Sequence, residues 1–590
     1  MPAALSLDDS TLPSPNTLET VRQDYQYNYT HIPPIAMVDR LPDGEQFSEE
    51  WFWLLAAQLR ALFINTLVTN RGNRAQTVRD TVRQFVLEAL FKGALPARLS
   101  VAARLLEVLP QVLLKQSSQN PQEFHEIDKL LFSILKAKGL QIFEDVFVRL
   151  TNLLYQGQPT GHATSLKDYD VLFSVLPVPE ISQTFQQDEA FAHLQVAGYN
   201  PLMLQRISYP GDRFPVQEDQ YQAVMGTDDS LAAAGQEGRL YLADYSILDH
   251  ALNGTYPGDQ KYVYAPLALF AVPRGADPAR RLRPVAIQGG PIPGADFPII
   301  TPQSGTYRWL AAKTIVQIAD ANFHEPVSHL ARTHLLVGAF VMATHRQLPN
   351  SHPLSLLLRP HFAGTLAIND AAQRILIAPY GGVDRLLSST IDNSRVLAVR
   401  GLQSYSFNQA ILPKQLHIRG VDDPALLPLY PYRDDALLVW DAIHRWVTDY
   451  LSLYYLNEDD VQHDRALQAW ATEITSYDGG RVYDFGEAGR IQTRQYLIDA
   501  VTLIIFTASA QHAAVNFPQK DVMGYAPAVS MGGYLPATIL KQAVSEQDYL
   551  NILAPLDQAQ RQYNLLALLG SVYYTKLGEY PLEHFSDPRV

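Results

Sequence analysis

Six of the chain's sixteen histidines fall between Phe323 and His361, in the run FHEPVSHLARTHLLVGAFVMATHRQLPNSHPLSLLLRPH. The same run sits in a segment, Trp309 to His345, whose apolar residues recur as they do in a long helix. Any fold for this chain must therefore place a crowd of imidazoles on or beside a core helix. A single buried histidine is by default a hydrogen-bonded core residue. The density is what turns attention to a metal.

His329 and His334 are five positions apart. On a regular α-helix, at about 100° per residue, they point about 140° away from each other. Widening to a π-type turn of about 4.4 residues returns i and i+5 to one face, and such bulges are found chiefly at functional sites. The pair can share a metal only if the helix is locally widened. Far downstream, in SAQHAAVNFPQ, His512 and Asn516 are four apart and project from one face of a regular helix. Three imidazoles and an amide oxygen suit high-spin iron or manganese. The HEPVSH string is one residue too long for the HExxH zinc-peptidase motif and contains Pro326, which sets that chemistry aside.

Composition narrows the rest. With 46 basic and 60 acidic residues the net charge is −14, against a nucleic-acid binder. There is no cysteine, so no disulfide, thiolate nucleophile or Cys-based metal site exists. The start of the chain has neither the basic residues nor the apolar run of a signal peptide. The apolar stretches near Leu335 to Ala343 and Leu497 to Ala510 are shorter than the roughly 18 residues of a membrane span and read as core helices. A cytoplasmic location, or a peripheral one on a membrane, is expected.

Residues 1 to 50 show no sustained period and read as an irregular lead-in, followed from Trp51 by helical spacing. Residues 71 to 115 carry eight basic and three acidic side chains, a local excess of five positive charges. Such helices could dock on an anionic membrane through residues 51 to 115 and reach fatty acids still esterified in lipids, or simply be core-packed helices with solvated basic faces. From Ser165 to Ile300 proline and glycine are frequent, and KYVYAPLALFAV (Lys261 to Val272) reads as β, so a small sheet is expected there. After Trp309 long helices dominate, including Asp435 to Leu456 and Arg494 to Asn516, the last closed by Pro518.

The run from Trp309 to Leu348, WLAAKTIVQIADANFHEPVSHLARTHLLVGAFVMATHRQL, resembles the iron-binding helix of lipoxygenases. SAQHAAVNF, YPYRDDALLVWDAI (Tyr430 to Ile443), VAGYNPLMLQRI (Val196 to Ile207) and YLADYSILDH (Tyr241 to His250) are similar to that family as well. The resemblance implies a mainly α fold: a large helical catalytic domain over 121–590 around a long central iron-binding helix, with a small β portion. An irregular and α-helical N-terminal extension over 1–120 replaces the β-barrel of plant and animal members, a bacterial or cyanobacterial-type minimal form.

It further implies one non-haem iron per chain on His329, His334, His512 and, more weakly, Asn516. Glu325 and Gln519 would be hydrogen-bonded partners behind the ligands. Ala372, Leu376 and Val383 would line the substrate channel, Ala372 at a small-residue position that in the family goes with S rather than R products. The implied reaction takes a hydrogen from a cis,cis-1,4-pentadiene of a polyunsaturated fatty acid, by a ferric hydroxide, and adds O2 to give a hydroperoxide. The family chain ends in Ile or Val whose carboxylate also binds the iron. The segment YPLEHFSDPRV resembles one that relatives continue beyond, so Val590 is not expected to be that ligand and a C-terminal truncation is implied. The Arg that some plant members use for the fatty-acid carboxylate has no counterpart in PAVSMGGYLP (Pro527 to Pro536). A manganese enzyme, or a lipid-binding protein of the same fold without turnover, are the alternatives.

Overall fold

One helix organises the molecule. It starts at Thr306 as α3 (Thr306–Phe323), widens into a π-helix over His324–Leu335, and continues as α4 (Leu336–Gln347). Gly305 sets the start with a φ of 106°, a left-handed turn that a side chain would strain. Leu348, held extended ahead of Pro349, ends it. Every residue from Trp309 to Phe323 is buried, polar ones among them finding partners inside the fold, as Lys313 does at Asp188 and Asn322 at the Met531 carbonyl. The computed structural model describes residues 15–69, 160–571, 577–581 and 584–590.

Around this axis, in chain order, lie α1 (Pro15–Asp24), α2 (Glu49–Thr69), α5 (Thr365–Ile375), α6 (Ile391–Gln403), α7 (Pro431–Leu451), α8 (Arg494–Phe506), α9 (His512–Asn516) and α10 (Leu556–Leu569). α8 begins where the Thr493 hydroxyl accepts from the Tyr496 N–H at 3.1 Å, a standard N-cap. A π turn, Thr507–Gln511, joins α8 to α9. The whole run Arg494–Met523 is the one described helix long and apolar enough to cross a membrane, but more than half of its apolar window is buried in this fold. It is a core helix, as its sequence reads.

The expected small sheet is present: five antiparallel strands, β3 (Gln205–Ile207), β4 (Leu240–Asp244), β5 (Leu267–Ala271), β6 (Arg283–Gln288) and β7 (Ile299–Ile300), paired in sequence order. β5 is buried along its whole length, which explains its unbroken apolar run. Beside it the buried Arg239 guanidinium grips Asp229 through two 2.8 Å hydrogen bonds.

The lead-in departs from the irregular reading. α1 is helical, and β1 (Tyr27–Asn28) pairs with β2 (Met37–Val38). Long-range contacts invisible to local periodicity order this segment. Arg346 donates to the Tyr25 carbonyl at 2.7 Å, the Tyr25 ring stacks on His345 at 4.3 Å, and Glu45 meets His345 Nε2 at 3.1 Å. The helix expected from Trp51 is α2, with Trp51, Leu55 and Leu62 turned into the core. The basic segment 71–115 and the expected boundary near residue 120 lie outside the described residues.

Candidate metal centre

Pro326 is where the central helix first loosens. Lacking an N–H and crowding the carbonyl four residues back, a proline inside a helix opens the regular ladder. Here the ladder shifts to i→i−5, as in the Leu336 N–H donating to the Ala331 carbonyl. Side chains satisfy carbonyls along the widened stretch: the Thr333 hydroxyl donates to the His329 carbonyl, and Asn369 Nδ2 donates to the His334 carbonyl at 2.9 Å. Gly338 makes room for Asn369, since a Cβ there would stand 2.9 Å from Asn369 Nδ2.

The widening brings His329 and His334 together, with their Nε2 atoms 3.2 Å apart. His512, on α9, adds its Nε2 at 3.0 Å from that of His334. These three are the described cluster able to hold a metal ion. Nitrogens about 2.1 Å from a shared metal stand roughly 3.0 to 3.4 Å apart as neighbouring ligands, so both spacings suit one ion held between the rings. Burial, and then the neighbouring rings, hold His334 well below the usual imidazole range. Burial and then His329 push His512 down to about 3, and burial lowers His329 despite Glu325 beside it. The rings are thus neutral at physiological pH, with lone pairs free for a cation. The donor set fits the metal.

Behind His329, its Nδ1 faces Glu325 Oε2 at 3.5 Å and Gln519 Nε2 at 3.3 Å. The His329 ring therefore stands between Glu325 and Gln519, rather than a direct bond joining them. With the Nδ1 proton toward Glu325, the Gln519 amide donates to Asn516 Oδ1 at 3.1 Å. Asn516 in turn donates to the Leu569 carbonyl at 3.2 Å. Burial would raise Glu325, but contacts with His324 and His329 outweigh it and hold the carboxyl at about 2. His324, which sequence reasoning left without a role, donates from Nε2 to the Val515 carbonyl at 2.8 Å and so ties the two histidine-bearing helices together. Its place in the dense histidine run was the available signal.

The three histidines and Asn516 form one wall of a largely apolar cavity of about 160 Å³. Ala372, Leu376 and Val383 line it, where the resemblance put the channel. Phe47, Trp51 and Leu55 line it too, contributed by a segment whose local pattern gave no hint of a site. Phe47 stacks on Trp51 at 3.7 Å. A second pocket of about 30 Å³, room for about one water, touches His334 and His512 from the side of His361 and Thr507. Val590 does not join the centre: it is 40% exposed and its N–H bonds the Asp587 carbonyl.

The lipoxygenase family model matches residues 92–547. The linoleate 9/13-lipoxygenase of Pseudomonas aeruginosa is 38% identical over 573 residues, 94% of this chain and 79% of that one. The polyunsaturated fatty acid lipoxygenase ALOX15B of Homo sapiens is 35% identical over 428 residues, 72% of this chain and 62% of its own. Among solved structures, a coral 8R-lipoxygenase has a TM-score of 0.75 at 25% identity, over 97% of this chain and 74% of that one. A lipoxygenase solved anaerobically with arachidonate has a TM-score of 0.74 at 26% identity, over 96% and 73%.

Fold, cluster and likeness together define an oxidoreductase of the dioxygenase class. The chain belongs to the lipoxygenase family.

Proposed function

We propose that the chain holds one non-haem iron on His329, His334, His512 and Asn516, and adds O2 to a cis,cis-1,4-pentadiene of polyunsaturated fatty acids to give hydroperoxides. The observation that carries this reading is the convergence of three neutral imidazoles, at 3.0 and 3.2 Å, on the wall of an apolar cavity. The bacterial relative is named for linoleate, and one solved neighbour was crystallised with arachidonate.

Iron, when bound, supplies the one-electron chemistry that turns a doubly allylic C–H into a pentadienyl radical open to O2. The residues do the rest. Neutral nitrogen ligands and one amide keep the site's charge on the metal. Glu325 accepts the His329 Nδ1 proton and so fixes the tautomer that presents Nε2. Ala372, Leu376 and Val383 offer the acyl chain an apolar wall. No side-chain acid or base enters the reaction.

The test is oxygen uptake and conjugated-diene absorbance with linoleate, alongside the metal content of the chain. Diene formation proportional to bound iron supports the reading. Bound iron without oxygen uptake favours a lipid-binding protein, and manganese in the active fraction reassigns the metal, since the same donors suit both. The basic segment 71–115, together with α2, is proposed as a docking surface for anionic membranes. Co-sedimentation with anionic liposomes that persists after deletion of residues 1–120 overturns that part. The division at residue 120 is likewise a proposal.

A further inference from the structure

The cavity wall is apolar apart from the metal centre and a few groups beside it, and one of these groups has the wrong charge for its surroundings to use. Arg395, on α6, lines the cavity together with Leu376, Ile377 and Val383. Its Nε donates to the Ile377 carbonyl at 2.9 Å, which fixes the plane of the guanidinium. Among the described residues its one ion-pair contact is loose, 3.8 Å from Nη1 to Asp392, whose side chain is 85% exposed. An exposed pair at that distance is worth little. The guanidinium is thus oriented and weakly paired, on a residue that lines an apolar pocket.

The geometry points to Arg395 as the residue that holds the carboxylate of a free fatty acid. The inference rests on the reading of this cavity as a fatty-acid site. An Nη1/Nη2 edge presents two parallel N–H groups, the arrangement that a carboxylate accepts bidentately. Exposure sets the direction. The Arg395 side chain is 27% exposed, against 9% for Glu325 beside His329. A carboxylate held at the more solvent-exposed arginine keeps contact with water while the hydrocarbon tail runs along the apolar wall toward the histidines. An esterified acyl chain carries no such anion and gains nothing from Arg395.

The probe is stearate, which has no pentadiene to oxidise, against methyl stearate, with binding to the full chain measured by titration calorimetry. Loss of a charge-assisted fork in Arg395→Ala is expected to weaken stearate about tenfold to a hundredfold. Methyl stearate should change less than about twofold, which also shows that the pocket of the variant is intact. Arg395→Lys, with the charge but without the fork, should fall between wild type and Arg395→Ala. Unchanged stearate affinity in Arg395→Ala, or equal weakening of acid and ester, overturns the assignment. Because stearate is not turned over, a wild type that binds it in an Arg395-dependent way yet takes up no oxygen with linoleate upholds this inference and sinks the catalytic one.

Discussion

His334 Nε2 and His512 Nε2 lie 3.0 Å apart across 178 positions of chain. Two helices are held at that distance by the His324 bond to the Val515 carbonyl and by packing, and the metal is expected to complete the join. His512→Ala should reduce bound iron to background and abolish diene formation. Because a metal that binds only the folded state stabilises it, chelation should lower the melting temperature of wild type and leave that of His512→Ala unmoved. Equal iron in both proteins would remove His512 from the ligand set.

Glu325 acts one bond further back, through His329 Nδ1 at 3.5 Å. Partners of this kind fix ring orientation and raise ligand basicity, and losing one weakens metal binding about 10- to 100-fold. Glu325→Ala should show that loss in a chelator competition. Glu325→Gln should retain most of the affinity, since an amide oxygen still accepts the Nδ1 proton. If Ala and Gln behave alike, the hydrogen bond is not what matters.

Much of this was legible from residue spacing. The i, i+5 separation of His329 and His334 let them share a metal only on a locally widened helix, and His324–Leu335 is a π-helix. The stretch from Trp309 to His345 read as one long helical segment, as it is, and the four-residue step from His512 to Asn516 put both on one face of α9. What was not legible depended on contacts between distant segments. Nothing local says that Phe47, Trp51 and Leu55 close the same cavity as Leu565 and Leu569, some five hundred residues later. α1 and the β1–β2 pair were missed because Arg346, His345 and the rest of the fold order that segment rather than a period of its own. The placement of Arg395 emerged only once α6 was packed beside the π-helix.

The π-helix has a dependent detail at Gly338. Alanine there raises helix propensity by about 1 kcal/mol, but its Cβ would stand 2.9 Å from Asn369 Nδ2 and push that amide off the His334 carbonyl. Leaving a buried carbonyl unpaired costs about 1–3 kcal/mol, so the second effect wins. Gly338→Ala should be net destabilising by about 1 kcal/mol in denaturant unfolding. In an Asn369→Ala background the bond is already gone, and the same substitution should turn stabilising. No change of sign across this double-mutant cycle would show that the Asn369 bond is not the reason for the glycine.

Asp320 lies one turn before the π-helix, buried, with Asn200 Nδ2 donating to it at 2.6 Å. Burial raises its pKa to about 6, against the opposing effect of Asn200, His324, Tyr245 and Tyr199. A carboxyl with a folded pKa above its unfolded one binds more protons in the folded state between the two values. Stability from this group is therefore present below about pH 4 and is lost as pH rises through about 6. A shift of this size corresponds to roughly 3 kcal/mol. Asp320→Asn removes the titration while keeping one oxygen for Asn200. The stability of the variant minus that of wild type should rise by up to that amount between about pH 4 and pH 7, then stay level. A difference that does not vary with pH would show that the Asp320 carboxyl titrates alike in the folded and unfolded chains.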